Sequence, residues 1–129
     1  MQEDEFGTAE DYYNAFRALL KTGVSEKHLD LLRAHFAAPD HTAPWADLAE
    51  AVGYKSGAAV NLQYGSLAKR VAQELGITDR PRGFWLFVLV DWAYALDPGR
   101  GHTLFVLRQP VIEALQRLGV LGSGTESPG

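Results

Sequence analysis

Cysteine is missing from all 129 residues, which excludes disulfides and thiolate metal sites and removes the usual mark of a small secreted scaffold. A cytoplasmic protein is the expectation. Long apolar runs are also missing: the longest, Phe84 to Val90, is far short of the ~20 residues that span a bilayer, so no membrane partner is expected. Lys and Arg are absent from the first eleven residues, and the start Met1-Gln2-Glu3-Asp4-Glu5 is acidic. It does not read as a signal peptide. Catalytic signatures are absent as well. No Gly-rich phosphate loop, Gly-x-Ser-x-Gly elbow, zinc signature, or carboxylate pair with a following lysine can be placed. A non-enzyme without cofactor or metal is expected. His28 and His35 lie seven apart, with no acidic or third histidine partner at ligand spacing, and read as surface histidines rather than ligands.

What is present is a charge that depends on position. The formal net charge is −4, but five of the sixteen acidic residues, Glu3, Asp4, Glu5, Glu10 and Asp11, precede every basic one, and the chain without them carries +1. From Gly53 to Gly83, Lys55, Lys69, Arg70, Arg80 and Arg82 face only Glu74 and Asp79, a local balance of +3. Such a block either keeps a face solvated or meets phosphate, and net charge alone does not choose between them.

Periodicity and punctuation divide the chain into an acidic segment (1–8), one domain (9–121) and a polar tail (122–129) expected to be disordered. Thr8 caps a first predicted helix, Ala9 to Lys21, with Tyr13, Phe16, Leu19 and Leu20 at helical spacing. Ser25 opens a second, Glu26 to about Ala37, with Leu29, Leu32 and Phe36 as its stripe. A third begins near Pro44 with Thr42 as the expected cap, buries Trp45, Leu48 and Val52, and stops at Gly53. After Gly53-Tyr54-Lys55-Ser56, a longer helix runs from Gly57 to Leu75 and ends at Gly76. Two helices joined by so short a glycine-containing turn have the form of a helix-turn-helix. The aromatic and β-branched run Phe84 to Val90 reads as a strand and Thr103 to Leu107 as its returning partner across Asp97-Pro98-Gly99-Arg100-Gly101. The stretch from Asp91 to Leu96 fits either an extended strand or a loop. A last helix runs from Pro110 to Leu118.

The unit Ala46-Asp47-Leu48-Ala49-Glu50-Ala51-Val52-Gly53-Tyr54, within the order helix, helix, helix-turn-helix, hairpin, helix, resembles a winged helix-turn-helix domain from Ser25 to about Leu118. The expected class is mainly α with a small antiparallel β-hairpin (α+β). The resemblance implies a second helix that reads the DNA major groove and a wing, here 84–107, that meets an adjacent groove or phosphates. A narrower resemblance lies in Ala58-Ala59-Val60-Asn61-Leu62-Gln63-Tyr64-Gly65-Ser66-Leu67-Ala68-Lys69-Arg70 with Leu107-Arg108-Gln109-Pro110-Val111-Ile112-Glu113-Ala114-Leu115. These segments are similar to a bacterial domain found beside HNH nuclease modules of modification-dependent restriction endonucleases. No His-rich or cysteine-containing HNH module can be placed in this chain, so such a nuclease would be absent or a separate partner.

At 100° per residue, Val60, Tyr64, Leu67, Val71 and Leu75 gather on the core side of the long helix. Lys55, Ala58, Asn61, Leu62, Gly65, Ser66, Lys69 and Gln73 fall opposite. Small residues at 58 and 65 let a duplex approach the backbone, Asn61 can pair bidentately with adenine, Leu62 can touch a thymine or modified-base methyl, and Lys55 and Lys69 can neutralise phosphates. The expected DNA-binding set is Lys55, Ser56, Ala58, Asn61, Leu62, Gly65, Ser66, Lys69, Arg70, Arg100 and His102, the last two near the wing tip. Trp85 and Phe87 read as core, whereas Trp92 and Tyr94, if exposed, could stack on a base. Double-stranded DNA is thus the expected partner, for a stand-alone transcriptional regulator or for the recognition module of a restriction or repair system. The competing readings are that Leu62 packs on the wing or on a second subunit while Gly65 merely permits close helix packing, and that the domain is a protein-interaction or homodimer module whose acidic N-terminus masks or mimics a nucleic-acid surface.

Overall fold

The structure is a computed structural model and describes residues 6–77, 85–93 and 103–122, with Trp92 and Ala93 as backbone alone. Among these residues, five α-helices and three strands follow in the order α1 (Ala9–Thr22), α2 (Glu26–Ala37), β1 (Thr42–Ala43), α3 (Trp45–Val52), α4 (Gly57–Leu75), β2 (Val90–Ala93), β3 (Leu104–Leu107) and α5 (Gln109–Arg117). The protein is mainly helical with a small antiparallel sheet. Among the described residues no helix is long and apolar enough to cross a membrane.

Local chemistry sets most helix boundaries. Thr8 Oγ1 accepts from the backbone of Asp11 at 3.1 Å and Asp11 Oδ2 accepts from the backbone of Thr8 at 2.9 Å, a reciprocal box that satisfies two free donors of α1. Thr8→Ala should therefore cost about 1 kcal/mol of stability, measurable by urea denaturation. The Ser25 and Ser56 hydroxyl oxygens cap α2 and α4 by accepting from the backbone N–H of His28 and of Ala59. Gly53 (φ 98°) ends α3 in the left-handed conformation that side chains disfavour. Thr42 does not cap α3. The cap position is Pro44, which makes no side-chain bond, while Thr42 belongs to β1 and its hydroxyl donates to the Asp40 carbonyl at 2.8 Å.

The sheet order is β1-β3-β2, with Thr42 opposite Val106, Ala43 opposite Phe105, and Val90 through Ala93 opposite Leu107 through Leu104. β1 has no counterpart in the sequence reading. It ties the segment before α3 to the hairpin strands and so fixes them beside α3 and α4.

The run from Phe84 to Val90 is not a strand over its described part. Trp85–Val88 coils into a 3-10 turn and pairing begins at Val90. Trp85, Leu86 and Phe87 are half-buried and Val88, Leu89 and Val90 wholly buried, so the run lacks the alternation of a strand with one solvent face. This turn packs on α4, and the Tyr12 hydroxyl of α1 donates to the Val88 carbonyl at 2.6 Å. Tyr12, Phe16 and Leu19 of α1 and Val111, Ile112 and Leu115 of α5 join Val60, Tyr64, Leu67 and Val71 of α4 in one core. Arg117 of α5 pairs with Glu10 at 2.8 Å and lies 4.0 Å above the Tyr13 ring.

His35 overturns the surface reading given to it, because it is completely buried. The Phe105 carbonyl can only accept, so Nε2–H donates to it at 2.9 Å, and Nδ1 in turn accepts from the Tyr64 hydroxyl at 2.8 Å. Burial lowers the imidazole from its ordinary 6.5 to about 4. Burial also raises the Tyr64 phenol well above its ordinary range, so both groups are neutral. Trp45 stacks on Phe105 with ring centres 3.9 Å apart and planes 6° from parallel, and its edge meets His35. One histidine thus joins α2, α4 and β3.

Candidate functional site

The helical geometry of α4 separates its two sides as its spacing requires. Val60, Tyr64, Leu67, Ala68, Val71 and Ala72 are buried, whereas Lys55, Ser56, Ala58, Asn61, Leu62, Ser66, Lys69 and Gln73 are exposed and Gly65 is half-exposed. Leu75 is half-buried at the end of the core stripe. Leu62 is 68% exposed, the one large hydrophobic residue so exposed among the described residues.

The two α4 glycines differ. A Cβ on Gly57 would stand 3.1 Å from Trp45 Cβ and 3.2 Å from the Ala46 backbone nitrogen, so that glycine lets α4 start tightly against α3. A Cβ on Gly65 would meet nothing within 4 Å. Close packing against the described residues of this chain therefore does not account for Gly65. A mid-helix glycine costs roughly 0.5–1 kcal/mol relative to alanine, and nothing inside the described fold returns that cost.

Shallow grooves flank the exposed face. One, of about 410 Å³, lies between α4 and the 3-10 turn and is lined by Asn61, Leu62, Gly65, Ser66, Lys69, Trp85 and Leu86. The other, of about 450 Å³, is lined by Pro44, Trp45, Ala46, Gly57, Ala58, Asn61, Thr103 and Phe105. Neither has an acidic residue in its described lining. Asn61 borders both, and its Oδ1 accepts from Trp45 Nε1–H at 3.0 Å.

Other members of the expected set stand differently. The Ser56 oxygen accepts from the Ala59 backbone as the cap of α4. Arg70 is turned away from the face: its guanidinium donates to the Gly23 carbonyl at 2.9 Å and the Thr22 hydroxyl at 3.3 Å, neutralising the carbonyl end of α1. Arg100, His102 and Tyr94, with Arg80 and Arg82, lie outside the described residues, as does the Trp92 side chain. Of the five leading acids, Asp11 is bound in the α1 cap and Glu10 pairs with Arg117, so these two belong to the folded domain. The sequence reading missed Trp45, Trp85, Leu86 and Thr103, which face the grooves from other elements. Periodicity along α4 carries no signal for them.

His28 links the back of α4 to α2, with Nε2 meeting Gln63 Oε1 at 2.8 Å. No family model, curated protein or solved structure matches this chain.

Proposed function

We propose that this chain is a winged-helix DNA-binding protein that lays the exposed face of α4 in the major groove of duplex DNA, with the β2–β3 hairpin alongside. The observation that carries the reading is Gly65, a destabilising mid-helix glycine with open space above it, set among Asn61, Leu62, Ser66 and Lys69 on a face with no carboxylate in the described groove linings. A duplex supplies what that face lacks, a close, polyanionic partner with hydrogen-bonding base edges. The apolar wall of Leu62, Trp85 and Leu86 supports sensitivity to a base methyl group. That property suits a restriction or repair module as well as a regulator.

The test is titration of a varied duplex pool, methylated and unmethylated, at several salt concentrations. Log affinity should fall linearly with log salt. Lys69→Ala should weaken binding on all sequences by severalfold and reduce the salt slope by about 1, whereas Asn61→Ala should mainly change the preference among sequences. Absence of binding to every duplex at low salt rejects the reading. The exposure of Leu62 favours one other function, a homodimer through α4. Sedimentation would then give a tight dimer that Leu62→Glu splits.

A further inference from the structure

We infer that Trp45 is a positioning residue that fixes the carboxamide of Asn61, so that α4 presents amide donors and reads an acceptor edge, guanine O6 and N7 foremost. The inference rests on the DNA reading above and adds to it the polarity of one base contact. An indole N–H can only donate, so the partner atom 3.0 Å from Trp45 Nε1 must be the amide oxygen of Asn61. The orientation of that amide is thereby set by chemistry. Oδ1 turns to the indole, and Nδ2 meets no acceptor among the described residues.

The indole is itself held. It stacks on Phe105 at 3.9 Å, and its ring centre lies 5.2 Å from that of Tyr64, which is wholly buried. Asn61 is exposed on the ridge between the two grooves, where an incoming base edge would arrive. Bidentate pairing with adenine needs Oδ1 and Nδ2 facing the base together. With Oδ1 engaged by the indole, the outward amino group best matches guanine, which offers two acceptors in the major groove, and otherwise thymine O4, while adenine offers it only N7 beside a competing N6 donor. The same amino group mismatches cytosine, which offers the N4 amino donor there. Asn61 thus reads differently from the adenine pairing expected of a free asparagine.

The experiment is selection of bound duplexes from a randomised pool by the intact chain, followed by titration of the selected site and its single-base variants. One position should show guanine or thymine favoured over cytosine by about tenfold, the size of one good base contact. Trp45→Phe keeps a ring against Phe105 but removes the N–H. It should reduce that preference to about twofold or less. Asn61→Asp keeps an oxygen for the indole and presents another outward. Although its charge weakens binding overall, preference at the same position should move toward cytosine or adenine, whose amino groups donate. Thermal melting of each variant checks that it folds. Wild-type preference for adenine at that position, or unchanged preference in both variants, overturns the inference while leaving DNA binding in place. Failure of the wild type to bind any duplex at low salt overturns the DNA reading and this inference with it.

Discussion

Lowering the pH from 6.5 to about 4 should remove about 3 kcal/mol of folding stability through His35 alone. The imidazole is completely buried, with Nε2–H on the Phe105 carbonyl and Nδ1 on the Tyr64 hydroxyl. A proton on Nδ1 would place a charge in the buried core, where no counter-ion is described. The unfolded chain binds that proton at 6.5 and the folded chain only at about 4. Stability is therefore full above 6.5, declines as the pH falls toward 4, and is insensitive to this group below that. His35→Gln, which keeps a donor for Phe105 and an acceptor for Tyr64 without titrating, should flatten this part of the profile. Urea denaturation across the range, wild type against variant, cancels the shared contribution of the carboxylates. Parallel curves for the two proteins would show that His35 is not the group responsible. His35→Leu should be the more damaging change at neutral pH, since it takes the acceptor from the buried Tyr64 hydroxyl, at a cost of about 1–3 kcal/mol.

Gly65 gives the second large effect, and its sign differs between stability and binding. Gly65→Ala should raise folding stability by roughly 0.5–1 kcal/mol, because alanine restricts the unfolded backbone and its methyl enters open space. The same methyl stands where a duplex would approach the helix, so DNA affinity should fall. Gly65→Glu also removes the glycine penalty but places a carboxylate between Leu62 and Lys69. Affinity should then fall on the order of a hundredfold, since like charges brought together in an interface cost several kcal/mol. Thermal melting and duplex titration on the same preparations measure both quantities. Unchanged affinity in the Glu variant would remove this face of α4 from the contact.

These two residues also mark where sequence reasoning succeeded and failed. The position of Gly65 on the outer face of α4 follows from 100° geometry and from the boundaries set by Ser56 and Gly76, all local features. The same kind of signal gave Thr8 and Ser25 as caps and Gly53 as a stop. His35 was misread because its partners, Tyr64 and Phe105, come from α4 and β3, far along the chain. β1 escaped for a related reason: two residues carry no alternation, and their strand character comes from pairing with Phe105 and Val106. The run before β2 looked like a strand because aromatic and β-branched residues suit strands. Its burial does not alternate, and its described part coils over Trp85–Val88 before pairing begins at Val90. At the candidate site the exposed face was legible, but the Trp45 bond to Asn61, the groove walls at Trp85 and Thr103, and the diversion of Arg70 to α1 required the third dimension.

The Glu10–Arg117 pair has a consequence for engineering. A carboxylate in the first turn of α1 is held 2.8 Å from a guanidinium in the last turn of α5, yet the fold runs on past Arg117, because Leu121 is buried and the Val120 carbonyl accepts from Arg33 of α2. A graft or truncation that ends at Arg117 would therefore expose part of the core, and a transplanted domain must keep the chain through Leu121.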